Sequence, residues 1–79
     1  LAAPGRGEPD AKTRLQERLQ ARGEGTPEYR TTETLGPPHA LEFRVEVCSG
    51  GRILGAGSGP SKRVAEQEAA RRALEADPG

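Results

Sequence analysis

A pair of basic residues stands where a glycine-rich run enters an apparent helix, at Gly55-Ala56-Gly57-Ser58-Gly59-Pro60-Ser61-Lys62-Arg63. A helix N-terminus presents unpaired backbone N–H groups and a partial positive charge. Stability alone favours Asp or Glu in that first turn, whereas Lys62 and Arg63 oppose the dipole. An external anion would satisfy dipole and cations together, and a phosphate is the natural candidate. The ordinary alternative is a solvated face, because adjacent basic residues are common on surface helices. The run is not a dinucleotide fingerprint: the third glycine is misplaced and no βαβ unit surrounds it. The lysine pattern of nucleotide-triphosphate loops is absent as well.

Two further groups could do related chemistry. Thr13, Gln16, Glu17 and Gln20 recur at helical spacing and form a polar stripe with one charge. Hydroxyl, amide and carboxylate groups both donate to and accept from other hydroxyls. The shallow minor groove of duplex RNA displays 2′-hydroxyls in rows, although a polar stripe is equally the default exterior of a helix. The loop Gly36-Pro37-Pro38-His39-Ala40 is stiffened by two prolines, so its tip could enter a groove at small entropic cost. The other possibility is a plain turn with an incidental histidine.

The elements that hold these residues follow from periodicity. Asp10 suits an N-cap, and Ala11 to Arg22 reads as a helix of about three turns, with Leu15 and Leu19 inward and Gly23 as its stop. Glu28 to Thr34 is strand-like, and Leu35 to Ala40 is a loop. Leu41 to Cys48 alternates: Leu41, Phe43, Val45 and Val47 share one side, and Glu42, Arg44, Glu46 and Cys48 share the other. Phe43 is therefore expected in the core, and its truncation, at about 3–5 kcal/mol, is expected to unfold so small a domain. Cys48 is expected on the solvent side as an incidental thiol.

Ser49-Gly50-Gly51 reads as a hairpin turn, Arg52 to Gly57 as a weaker strand, and Ser61 to Ala76 as a capped helix with Ala65, Ala69, Ala70, Ala73 and Leu74 inward. The resulting class is α+β. Its order is α-β-β-β-α, with a three-stranded antiparallel sheet and both helices packed on one face. Leu1 to Pro9, rich in Pro and Gly, is expected to be a flexible linker; 10–76 is the domain, and 77–79 a tail.

Composition bounds the rest. The chain has 79 residues, 32% apolar and 3% aromatic, with 12 basic against 12 acidic side chains and formal net charge zero. That length supports one small core. No apolar run approaches a membrane span, so no membrane partner is expected. One cysteine and one histidine rule out an internal disulfide and a Cys/His metal cluster, and neither a metal site nor a cofactor is expected in this domain. A single thiol suits a reducing compartment, and a cytoplasmic location is expected. Neutrality counts against a broad nucleic-acid-binding surface but says nothing about where individual charges sit.

Taken together, Leu15-Gln16-Glu17, Pro27-Glu28-Tyr29, Gly36-Pro37-Pro38-His39, Phe43-Arg44-Val45 and Gly57 to Arg63 followed by Ala65-Glu66-Gln67-Glu68-Ala69-Ala70 resemble the double-stranded-RNA-binding domain family from about Asp10 to Ala76. Within it, Asp10 to Glu17 and Ala65-Glu66-Gln67 are most similar to the C-terminal module of bacterial ribonuclease III. A helper-type eukaryotic module, or a relative that serves as a protein–protein or dimerisation module, is the alternative.

The resemblance implies a grip at three places on duplex RNA. Thr13, Gln16, Glu17 and Gln20 would enter one minor groove, and Pro37, Pro38 and His39 the next. Ser61, Lys62 and Arg63 would straddle the major-groove phosphates between them, over roughly 16 base pairs. It implies no catalysis in this chain. A parent would be a metal-dependent, double-strand-specific endoribonuclease, possessing its own acidic Mg-binding domain and forming a homodimer, with the isolated domain a monomer. Glu66 stands where many eukaryotic relatives carry Lys, so a shallow salt dependence is expected, with a slope on the order of −2 to −3.

Overall fold

The computed structural model describes residues 10–77; the expected linker and the last two residues of the expected tail lie outside them. Helix α1 covers Ala11–Ala21, strands β1, β2 and β3 cover Glu28–Leu35, Glu42–Ser49 and Arg52–Gly59, and helix α2 covers Lys62–Ala76. The strands form one antiparallel sheet in the order β1-β2-β3. The α-β-β-β-α order is the one expected. No helix among the described residues is long and apolar enough to cross a membrane.

Local chemistry sets the boundaries. Asp10 caps α1, its Oδ1 accepting the Thr13 N–H at 2.8 Å. Gly23 leaves the helix with φ +76°, and its N–H donates to the Gln20 carbonyl at 3.0 Å. Gly50 and Gly51 join β2 to β3 with φ of +60° and +80°, the pair of positive values that a tight hairpin turn demands. Ser61 caps α2, its Oγ accepting the Val64 N–H at 3.2 Å. Asp77, expected to begin a tail, closes α2 instead and forms ion pairs with Arg18 and Arg22 of α1.

The core holds Leu15 and Leu19 of α1, Val45 and Val47 of β2, and Ala65, Ala69, Ala70 and Ala73 of α2. Val45 and Val47 are the largest wholly buried side chains. Phe43 does not occupy the centre. It is half-buried and packs against the margin of the cluster, as Tyr29, Leu54, Leu74 and Ala11 do at other points. Its position near the end of the sheet, paired with Gly59 and Thr34, leaves one side of the ring uncovered, so truncation costs less than at a closed site.

The glycines of β3 have a different role from the one their run suggests. The strand continues to Gly59, and Gly55, Gly57 and Gly59 all turn toward α2. A Cβ on Gly57 would stand 2.4 Å from the Ala69 nitrogen, and one on Gly55 would stand 2.8 Å from the Ala69 oxygen and the Ala73 nitrogen. None of the three has positive φ. They are spaced by two because they occupy the inner side of a strand, and they are glycine because the α2 backbone lies directly on them. Facing them are Ala65, Ala69 and Ala73, so this contact is made between side-chain-poor surfaces.

Two irregularities adjust the sheet. One residue of β1 falls out of register between Thr31 and Glu33, and the β2–β3 pairing shifts at Val47 and Cys48, with Leu54 as the extra residue on β3. Leu54 thereby packs against the core beside Gly55. Cys48 departs from expectation: it lies on the outer side of the sheet, yet is only 5% exposed. The Arg30 guanidinium crosses from β1 and its Nη2 donates to Cys48 Sγ at 3.4 Å, covering the thiol.

Candidate nucleic-acid interface

The register fixes which sequence-predicted residues share an end of the molecule. Phe43 pairs with Thr34 on one side and Gly59 on the other, so the β1–β2 loop and the start of α2 leave the same edge of the sheet. Ala11 and Lys12 bond to Gln67 and Glu66 near the start of α2, while Arg18 and Arg22 reach Asp77 at its end. The helices thus lie side by side, N-terminus with N-terminus. The beginning of α1, the loop and the beginning of α2 come to one end of the domain, on three separate elements.

Each predicted group is open to solvent. Thr13, Gln16, Glu17 and Gln20 are exposed on the side of α1 opposite Leu15 and Leu19. Thr13 is also part of the cap; its amide and hydroxyl, with help from Gln67 and Lys12, hold the Asp10 carboxyl below its ordinary range. Pro37, Pro38 and His39 are exposed in a turn closed by the Ala40 N–H donating to the Pro37 carbonyl at 2.9 Å. Pro38 presets φ at the second position of that turn. Gly36 enters it with φ +92°, where a Cβ would lie 2.5 Å from the Ala40 oxygen, so the loop's shape depends on glycine there. Ser61 is half-buried, its oxygen occupied by the cap and its hydroxyl proton still available to donate. Lys62 and Arg63 are exposed in the first turn of α2, which contains no acidic residue.

The charges around this end are distributed unevenly. Outside the interface, cations are neutralised: Arg44 pairs with Glu33 at 3.2 Å and Glu42 at 3.8 Å, Arg52 with Glu24 at 3.4 Å, and Arg72 with Glu68 at 2.8 Å. Arg71 also pairs with Glu68 and Glu75, and the two guanidiniums on Glu68 hold its carboxyl well below the usual range, at about 2. Lys12 pairs with Glu66 at 2.6 Å. Among the described residues, only Arg14, Lys62 and Arg63 of all the lysines and arginines have no carboxylate within ion-pair distance. Their place at a helix N-terminus singled out two of these; Arg14 could not be separated from other helix-surface arginines without knowing the pairings. Among the described residues no three of His, Cys, Asp and Glu gather where they could hold a metal ion.

A further polar cluster joins α1, β1 and α2. Gln67 Oε1 accepts the Ala11 N–H at 2.9 Å, and Lys12 Nζ lies 4.7 Å above the Tyr29 ring. The Tyr29 hydroxyl is buried and makes no hydrogen bond. Burial first, and then the nearby Glu66 and Asp10 carboxylates, push the phenol up to about 12.

Known proteins supply the wider frame. Residues 11–76 match the family described as double-stranded RNA binding motif. The chain is 54% identical over 67 residues to Ribonuclease 3 of Roseiflexus sp., covering 85% of this chain and 28% of that protein. It is 52% identical over 65 residues to Ribonuclease 3 of Symbiobacterium thermophilum, covering 82% and 28%. It therefore spans less than a third of the length of these curated relatives. Among solved structures, Arabidopsis HYL1 superposes with TM-score 0.72 at 34% identity, covering 84% of this chain and 93% of that one. Dicer from Pichia stipitis gives TM-score 0.71 at 29% identity, covering 87% and 33%. The capped helix pair, the three-stranded sheet and the family match over nearly all the described residues lead to one conclusion: this chain belongs to the double-stranded RNA binding motif family.

Proposed function

We propose that the domain grips duplex RNA by shape, at three places along one side of the helix. Thr13, Gln16, Glu17 and Gln20 contact 2′-hydroxyls in one minor groove, and Pro37, Pro38 and His39 enter the next. Ser61, Lys62 and Arg63 hold the phosphates of the major groove between them, a footprint of about 16 base pairs. The observation that carries this is the charge pattern: among the described residues the other basic side chains, Arg14 apart, are paired with carboxylates, while Lys62 and Arg63 stand unpaired in the first turn of α2. Arg14, also unpaired and next to Thr13, serves as a third phosphate contact. Contacts so few, and so largely directed to sugar and phosphate, select helix geometry over base sequence.

The likeness to Ribonuclease 3 supports a parent that cleaves duplex RNA with metal ions bound in another domain. This domain delivers the substrate to it. Such a parent acts in the cytoplasm as a homodimer, and the domain by itself is a monomer. A labelled RNA duplex longer than about 16 base pairs, titrated beside the matched DNA duplex and the single strands, tests the binding role. The RNA duplex is expected to bind more tightly than the DNA duplex, and the single strands not at all. Equal affinity for all three would refute it.

A further inference from the structure

The N-terminal ends of the two helices meet through contacts that the duplex-binding roles leave unused. Gln67 is half-buried on α2, and its Oε1 accepts the N–H of Ala11 at 2.9 Å and, more weakly, that of Lys12 at 3.4 Å. These are first-turn donors that a helix cannot satisfy internally. Asp10 takes a third, from Thr13. The start of α1 is thus capped in part by a side chain 56 positions away. Lys12 reaches Glu66 alongside, cancelling a carboxylate one turn beyond Lys62.

The remaining supports of α1 are few. Its wholly buried side chains are Leu15 and Leu19, and its C-terminal end is tied by Arg18 and Arg22 to Asp77. A helix of 11 residues whose core contacts are Leu15, Leu19 and the half-buried Ala11 depends on its end contacts for its direction. Its N-terminal half presents Thr13 and Gln16, whose use depends on direction.

We infer that Gln67 is a positioning residue for RNA selectivity: by capping α1 from α2, it fixes the direction of the Thr13–Gln16 side of α1 relative to Lys62 and Arg63. This rests on the duplex-binding function proposed above. If α1 is freed at this point, the Lys62 and Arg63 contacts to phosphate survive, because they belong to α2. What weakens is the set of contacts that distinguishes RNA from DNA, because 2′-hydroxyls must be met at fixed places.

The test compares Gln67→Met, which keeps the length and loses the acceptor, with Gln67→Glu, which keeps an acceptor. Affinities for RNA and DNA duplexes of about 20 base pairs, above the footprint of about 16, are measured by fluorescence anisotropy at low salt, where phosphate contacts alone hold either duplex. Gln67→Met is expected to lose about fivefold in RNA affinity, the scale of one hydrogen bond. Its DNA affinity is expected to change by less than about twofold, with the share of the salt slope due to Lys62 and Arg63 preserved. Gln67→Glu is expected to retain most of the RNA preference. Partial unfolding lowers both affinities by one factor and leaves their ratio unchanged, so the ratio reports positioning alone. An unchanged ratio in Gln67→Met, with wild type preferring RNA, overturns the inference. A wild type with no RNA preference overturns the proposed function, and the inference with it, before any substitution is made.

Discussion

Removing two positive charges from α2 should have a large or a small consequence depending on which two are removed. Lys62 and Arg63 are unpaired in the first turn, whereas Arg71 and Arg72, later in the same helix, are held by Glu68 and Glu75. Each phosphate neutralised by a protein cation contributes about −0.9 to the slope of log Kobs against log salt. With Arg14, Lys62 and Arg63 engaged, the wild-type slope is about −2.7, and affinity falls roughly 40-fold between 50 and 200 mM salt. Lys62→Ala/Arg63→Ala leaves Arg14 alone, so the slope becomes about −0.9 and the fall about 3.5-fold. Arg71→Ala/Arg72→Ala makes the same change in net charge and should move the slope by less than about 0.5. Anisotropy titrations of one labelled RNA duplex at four or five salt concentrations measure all three proteins. Circular dichroism checks that each variant is folded. Equal slopes for the two double variants would refute the reasoning, because binding would then follow total charge and not placed contacts.

Other outcomes follow from burial. Tyr29 is the only tyrosine and the chain has no tryptophan, so tyrosinate absorbance near 295 nm reports this phenol directly. Its pKa is raised from 10 to about 12, chiefly by burial, so the folded state favours the protonated phenol. That stabilisation is fully present below pH 10 and is lost as pH rises through about 12. A folded-state midpoint near 10, equal to that in urea, would contradict the burial. Gly57→Ala places a methyl group against the α2 backbone, which cannot rotate away, and should cost about 2–3 kcal/mol. In a domain of this size that lowers the melting temperature by roughly 10–20 °C. An unaltered melt would show that the β3–α2 contact is looser than described.

The elements legible in the sequence are those whose side chains mark a period. Leu15 and Leu19 betray one side of α1, the alternation from Leu41 to Val47 betrays β2, and Asp10 and Ser61 announce the caps. The end of β3 was hidden because Gly57 and Gly59 occupy inward strand positions without an apolar side chain to register them. Cys48 has outward parity, yet its burial depends on Arg30, a residue on another strand. The site divides in the same way. The stripe on α1 and the Lys62-Arg63 pair can be read from local spacing, but the separation of free from paired cations rests on contacts such as Lys12–Glu66 and Arg52–Glu24.

The glycine–alanine seam between β3 and α2 also bears on how the domain meets the cost of ordering. Alanine and glycine have no side-chain rotamers to lose on burial, so the ordering cost at this contact falls on the backbone alone. Little apolar side-chain surface is withdrawn from water there, and the contact adds little to the heat capacity of unfolding. Its cohesion comes from dispersion between main-chain atoms in close approach. A larger side chain introduced to strengthen the core would separate those atoms before it gained contacts of its own. It would also displace α2 from the strand that aims Lys62 and Arg63.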